Sequence, residues 1–226
     1  MTDEMRMRGV RLAWGEAADG EDRRALGRRL LRGIVARGAD ILSVCPRCGG
    51  PHGRPLVRID GAPGPLVSIA YSGATVLVGV APPGATAFGI DLELDTGARR
   101  RAVLEAIGSR ELVDWTRLEA IAKARGTGLQ GAPAPPEVEL AADGWILPQP
   151  EAQRPGSQQP GSQPRGAQPR EAQPRGARRP GARPLAQGSL RGFDLVLALT
   201  PTPAVLSVAL DVPPRVEGQV VDDGVR

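Results

Sequence analysis

Aromatic side chains make up only 3% of the 226 residues, and the chain holds two cysteines, one histidine and a single lysine, Lys123. Two cysteines exclude a disulfide framework of the kind that staples small secreted domains. No apolar run approaches the roughly 20 residues that a membrane-spanning helix needs. Met1–Arg23 has no hydrophobic stretch of the signal-peptide type. A cytoplasmic protein without membrane contact is therefore expected. Nor do aromatics interleave with arginines as stacking on bare nucleic-acid bases would favour.

What the chain has in abundance is Gly (30), Pro (23) and Arg. The net charge of +4 is unevenly placed. Residues 151–188 carry seven Arg against two Glu, a net of +5, so everything else sums to −1. The same segment holds QPRGA, QPREA and QPRGA in tandem at 163–177. Proline at that density removes backbone donors, and no apolar period offers a core. Residues 148–190 are expected to be a disordered Pro/Arg/Gln-rich insertion in an otherwise nearly neutral chain. In so Arg-rich a chain, one lysine points to a need that arginine does not meet.

Outside the insertion the pattern alternates between helix and strand. Residues 21–37 place Leu26, Leu30, Ile34 and Val35 on one side of a helix. LVSIAYSG, ATVLVGVA and TAFGIDLEL read as strands, the first two joined at Ser72-Gly73. Helices are expected over 99–107, stopping near Gly108, and over 111–125, ending at Gly126. PEVELAADGWIL reads as a hairpin, and GFDLVLALT and AVLSVALDV as two last strands. Helix-then-sheet thus occurs twice. The expected class is α+β with a duplication, an N-terminal half over 1–95 and a C-terminal half over 96–226.

Two clusters carry chemistry. In GIDLE (89–93), alternation sends Phe88, Ile90, Leu92 and Leu94 to one face and aims Asp91 and Glu93 from the other. Such a pair repels itself unless a cation or a basic group lies near, and the alternative is a solvated strand face. Gly89 inside the strand marks close approach of a ligand or another backbone. In WTRLEAIAKA (115–124), Trp115, Glu119 and Lys123 follow at i, i+4 and i+8 on one helical face. Glu119–Lys123 alone is an ordinary surface pair. Joined to Asp91 and Glu93, Glu119 completes a hard oxygen site suited to Mg²⁺, with a lysine fit for phosphate chemistry.

These segments, in order, resemble the Sfp-like 4′-phosphopantetheinyl transferases: HGRP (52–55), SIAYSG (68–73), GIDLE and WTRLEAIAKARGTGL (115–129). The resemblance implies two similar α/β halves related by a pseudo-twofold axis, with coenzyme A between them. It implies transfer of phosphopantetheine from coenzyme A to a serine of an acyl or peptidyl carrier protein by a monomeric enzyme. Asp91, Glu93 and Glu119 match the family's Mg²⁺ ligands. Glu119 also matches a base for the serine hydroxyl, and Lys123 the lysine at the transferring phosphate. Arg54, His52, Tyr71 and Ser72 fall in the segments that meet coenzyme A. The chain departs from the family at Ala70-Tyr71, where Ser-His is common, and at Leu118, where a lysine is common.

CPRCGGPHGRP (45–55) stays open on its own residues. Cys45, Cys48 and His52 have the spacing of a zinc knuckle, which with the Arg-rich segment would make a nucleic-acid-binding protein. A structural zinc site usually takes four ligands, and the chain has no further Cys or His. The pair also reads as packing residues or as a redox couple. An inactive carrier-binding homologue would share every feature but turnover.

Overall fold

The computed structural model describes residues 3–45, 48–51, 53–129, 134–148, 190–199 and 202–213. His52 and all but the edges of the 148–190 insertion lie outside them. The architecture is α+β, with three helices and three sheets among the described residues.

Arg8 and Gly9, with φ of 52° and 76°, form a two-residue turn between β1 (Asp3–Met7) and β2 (Val10–Glu16). Positive φ at both positions matches the twist of the strands they join. Asp22 then caps α1 (Arg23–Ile34) by accepting from the Arg24 amide at 3.0 Å. A small sheet follows, from β3 (Asp40–Leu42), β4 (Leu56–Ile59) and β5 (Ala62–Pro63). The hairpin of β6 (Val67–Ser72) and β7 (Thr75–Val80) completes a first main sheet in the order β1-β2-β7-β6.

The next strand, β8 (Ala87–Leu94), leads to α2 (Gly97–Ile107) and α3 (Leu112–Arg125). Both helices stop at a left-handed glycine, Gly108 and Gly126, as expected from the sequence. The strands β9 (Glu139–Ala141), β10 (Gly144–Leu147), β11 (Leu190–Leu197) and β12 (Ala204–Asp211) give a second main sheet, β8-β12-β11-β10-β9. Its β8–β12 ladder sets Asp91 opposite Ser207. A division at residue 95 would leave β8 with the first half; its backbone pairing joins it to the later strands.

The inner faces of the two main sheets share one core, with Leu12, Ala70 and Leu77 against Phe88, Ile90, Leu92 and Leu206. On the outer face of the first sheet, Leu26, Leu30, Leu31 and Ile34 of α1 pack on Val76 and Val78. On the outer face of the second, Ala120, Ile121 and Ala124 of α3 pack near Ala87 and Ala209. Arg8 ties the sheets at one edge: its guanidinium lies 5.1 Å over the Phe193 ring and donates to the Asp143 carbonyl.

Candidate functional site

The outer face of β8 is not solvated. Asp91 and Glu93 are 6% and 2% exposed, covered by α3. Gly89 is the reason the helix comes so close. A Cβ there would lie 2.5 Å from the Ala124 amide nitrogen, 3.0 Å from the Lys123 Cβ, and inside the contact radius of the Ala120 carbonyl oxygen. The backbone that the glycine admits is that of α3, whose alanines keep the contact side small.

That approach delivers Lys123 to Asp91, with Nζ 2.6 Å from Oδ1. Burial pushes the Asp91 carboxyl up to about 7. The lysine pulls against that rise, while the negative charges of Glu119 and Glu93 add to it. Three carboxylates and the chain's one lysine thus act on each other across the α3–β8 contact. Glu93 accepts from the Ser72 hydroxyl at 2.8 Å, and the same hydroxyl accepts from the Leu94 amide at 3.0 Å. Ser68 repeats the pattern, accepting from the Ile90 amide at 3.2 Å. Two serines of β6 thereby satisfy amides on the edge of β8 where β6 does not ladder with it.

Arg54 reaches the start of the same strand, donating from Nη2 to the Phe88 carbonyl at 2.9 Å. Its Nη1 would stand 3.5 Å from a Cβ on Gly126, at the end of α3. A guanidinium, an ammonium and a group of carboxylates therefore follow one another along β8. Tyr71 is not part of that row. Alternation turns it to the opposite face of β6 from Ser72, where its ring lies 5.7 Å from the Arg23 guanidinium. Burial pushes its phenol up, against the nearby charges of Arg24, Arg28 and Arg23. His52 lies outside the described residues.

The donors suit a hard cation in kind, and the buried, partly neutralised Asp91 is the group that such a cation would relieve. As the side chains stand, Asp91 turns to Lys123 and Glu93 to Ser72. Among the described residues no three carboxylate, thiol or imidazole groups converge on a point that could hold a metal.

A second polar group under α3 was not anticipated from the sequence. Asp194 on β11 accepts from Trp145 Nε1 (3.1 Å) and the Ser207 hydroxyl (2.6 Å) at Oδ1. At Oδ2 it accepts from Arg117 Nε (3.0 Å) and Nη2 (2.6 Å). The Ser207 and Thr116 hydroxyls are 2.7 Å apart. Since Ser207 pairs with Asp91 on one side and Asp194 on the other, a polar row crosses three strands beneath the helix. A signal existed: Gly-Phe-Asp-Leu at 192–195 echoes Gly-Ile-Asp-Leu at 89–92.

Compared with known proteins, the chain matches no protein-family model and no curated protein sequence.

Proposed function

We propose that the chain is an Sfp-like phosphopantetheinyl transferase that moves 4′-phosphopantetheine from coenzyme A to a serine of an acyl or peptidyl carrier protein. The observation that supports the reading is the Lys123–Asp91 pair between α3 and β8, with the charges of Glu119 and Glu93 acting on the same Asp91 and Arg54 at the head of the same strand. The strand orders support it as well. The segments β2-β7-β6 and β8-β12-β11 each set their last strand beside their first, with α1 or α3 packed outside. That agrees with two similar halves around a pseudo-twofold.

In the proposed reaction the carrier serine hydroxyl attacks the β-phosphorus of the coenzyme A diphosphate. A serine–phosphate bond forms, the bond to the bridging oxygen breaks, and adenosine 3′,5′-bisphosphate leaves. Glu119 takes the hydroxyl proton. The Lys123 ammonium stands at the transferring phosphoryl group and offsets the charge that grows there. Arg54 binds a coenzyme A phosphate, and Tyr71, with Arg23, Arg24 and Arg28 around it, offers a second basic place for one. Asp91, Glu93 and Glu119 would hold Mg²⁺, which when bound neutralises diphosphate charge.

The test is incubation with coenzyme A, Mg²⁺ and apo carrier proteins, followed by the mass of the carrier. A phosphopantetheine adduct that disappears in Asp91→Ala is the expected result. No adduct on any of several acyl and peptidyl carriers overturns the reading.

A further inference from the structure

Five of the twelve residues of α1 are arginine, and none is acidic. Leu26, Leu30, Leu31 and Ile34 take the buried side, so most of what the helix turns to solvent is guanidinium. Arg24, Arg28 and Arg32 follow at i, i+4 and i+8 along one side, a row about 12 Å long.

This placement works against the helix that carries it. Like charges four residues apart repel each other. Arg23 and Arg24 stand in the first turn, where the helix dipole disfavours cations. The other long helix follows the opposite rule: α3 has Asp114 in its first turn and Lys123 and Arg125 in its last. Nearby acids offset only part of the charge. Glu21 pairs with Arg29 at 2.6 Å, and Asp22 stands 3.8 Å from Arg28. Arg23 donates to the Gly73 carbonyl at 2.7 Å. Among the described residues no carboxylate lies within ion-pair distance of Arg24 or Arg32. A sequence that breaks local rules on an exposed face marks a surface shaped for something other than folding.

We propose that this face of α1 docks an acidic helix of a partner protein, with carboxylates at i, i+4 and i+8 set against Arg24, Arg28 and Arg32. The two rows match because every α-helix repeats at the same rise. A guanidinium fork meets a carboxylate through two parallel hydrogen bonds, which favours arginine over lysine at such a contact. Tyr71 lies alongside, its hydroxyl 3.4 Å from where a Cβ on Gly27 would stand. Arginine and tyrosine are the residues that protein interfaces enrich. Nucleic acid fits less well, since bare bases stack on open rings and the Tyr71 ring lies 5.7 Å from the Arg23 guanidinium. Three exposed charge pairs make a weak, salt-sensitive contact suited to a partner that comes and goes. The proposal stands apart from the transferase reading, since binding is measured without turnover.

The experiment compares the full chain with an Arg24→Gln/Arg28→Gln/Arg32→Gln variant by fluorescence anisotropy. The probes are an alanine-rich helical peptide with glutamates at i, i+4 and i+8, and a short single-stranded DNA, each labelled with fluorescein. The wild type should bind the peptide at low salt. The variant should bind it at least about tenfold more weakly, and salt at about 0.5 M should have the same effect on the wild type. The Arg-rich insertion is identical in both proteins, so the difference belongs to α1. The variant's urea midpoint should equal or exceed that of the wild type, because the substitutions relieve repulsion and glutamine forms helix well. No peptide binding by the wild type, or equal binding by the variant, overturns the proposal. A lower midpoint in the variant would assign the row to folding and overturns it too. Tighter binding of the DNA than of the peptide, lost in the same variant, overturns the choice of partner.

Discussion

Lys123 Nζ sits 2.6 Å from Asp91 Oδ1 because Gly89, two residues before the aspartate, has no side chain to hold α3 away. The ion pair is thus a product of backbone contact between a helix and a strand. Lys123 keeps 30% of its side chain exposed and Asp91 9%, so the pair has one wet end and one dry end. The wet end reaches toward solvent, and the dry end anchors it.

Gly89→Ala should therefore act on both fold and site. The added methyl meets the Ala120 carbonyl and the Ala124 amide, which are helix backbone and cannot rotate away. Overpacking of this kind costs about 1–3 kcal/mol. The urea midpoint should fall, and transfer to a carrier should fall further than the loss of folded protein explains. An unchanged midpoint would mean that α3 does not rest on β8 as described.

The raised Asp91 carboxyl fixes a direction for stability against pH. In the unfolded chain this group ionises near 3.8, and in the folded chain near 7. Between those values the folded state binds more protons, so stability falls as pH rises from about 4 to 7 and levels off above. The contribution is on the order of a few kcal/mol at most. Asp91→Asn should remove that slope and, in Mg²⁺-free buffer at pH 8, unfold at higher urea than wild type. Added Mg²⁺ should raise the wild-type midpoint at pH 8 and leave the variant's in place. A slope that survives in Asp91→Asn would assign the titration to another group.

Much of β8 is legible in the sequence, because Phe88, Ile90 and Leu92 alternate with small or acidic residues and all three lie in the core. What covers its other face is not legible locally. Asp91 meets a lysine that arrives from 32 residues downstream, and whether Asp91 is wet or buried depends on that arrival. Pairing is the same kind of problem. The partner of β8 is β12, more than a hundred residues later, so a boundary drawn after the strand separates it from its own sheet. The β1–β2 hairpin is hidden for a different reason. Arg8 takes a left-handed conformation that its residue type does not announce, and much of β1 is exposed, so no strand is read there from the residues alone. The three-residue and two-residue strands of the small sheet are too short for any period to register.

Lys123→Arg tests why the chain keeps a lysine here. An ammonium is a compact point charge, whereas a guanidinium is a broad planar fork. Between a helix backbone in contact with β8 and a carboxylate at 2.6 Å there is room for the first geometry. The variant should fold with stability within about 1 kcal/mol of wild type, since the group keeps its charge and its wet end. Its rate of carrier modification, followed by mass spectrometry, should drop at least about tenfold, or about 1.4 kcal/mol of transition-state stabilisation. A wild-type rate in Lys123→Arg would show that position-independent positive charge is all the site requires.

Asp194 tests how α3 is held. It receives four side-chain hydrogen bonds, two of them from Arg117, which lies two residues before Glu119 on the helix that carries Lys123. Asp194→Ala would leave a guanidinium, an indole N–H and a hydroxyl without this acceptor in a partly buried place, at a cost of about 3 kcal/mol. Arg117→Met removes the charge from the other side, and it leaves Asp194 with its neutral donors. If the two act through one contact, the double variant loses less than the sum of the singles, by at least about 1 kcal/mol. A coupled pair also makes the activity losses track each other, because both loosen the same helix over β8. Simple additivity in urea unfolding would instead assign the seating of α3 to Ala120, Ile121 and Ala124, and leave the polar row as a consequence of that packing rather than a cause.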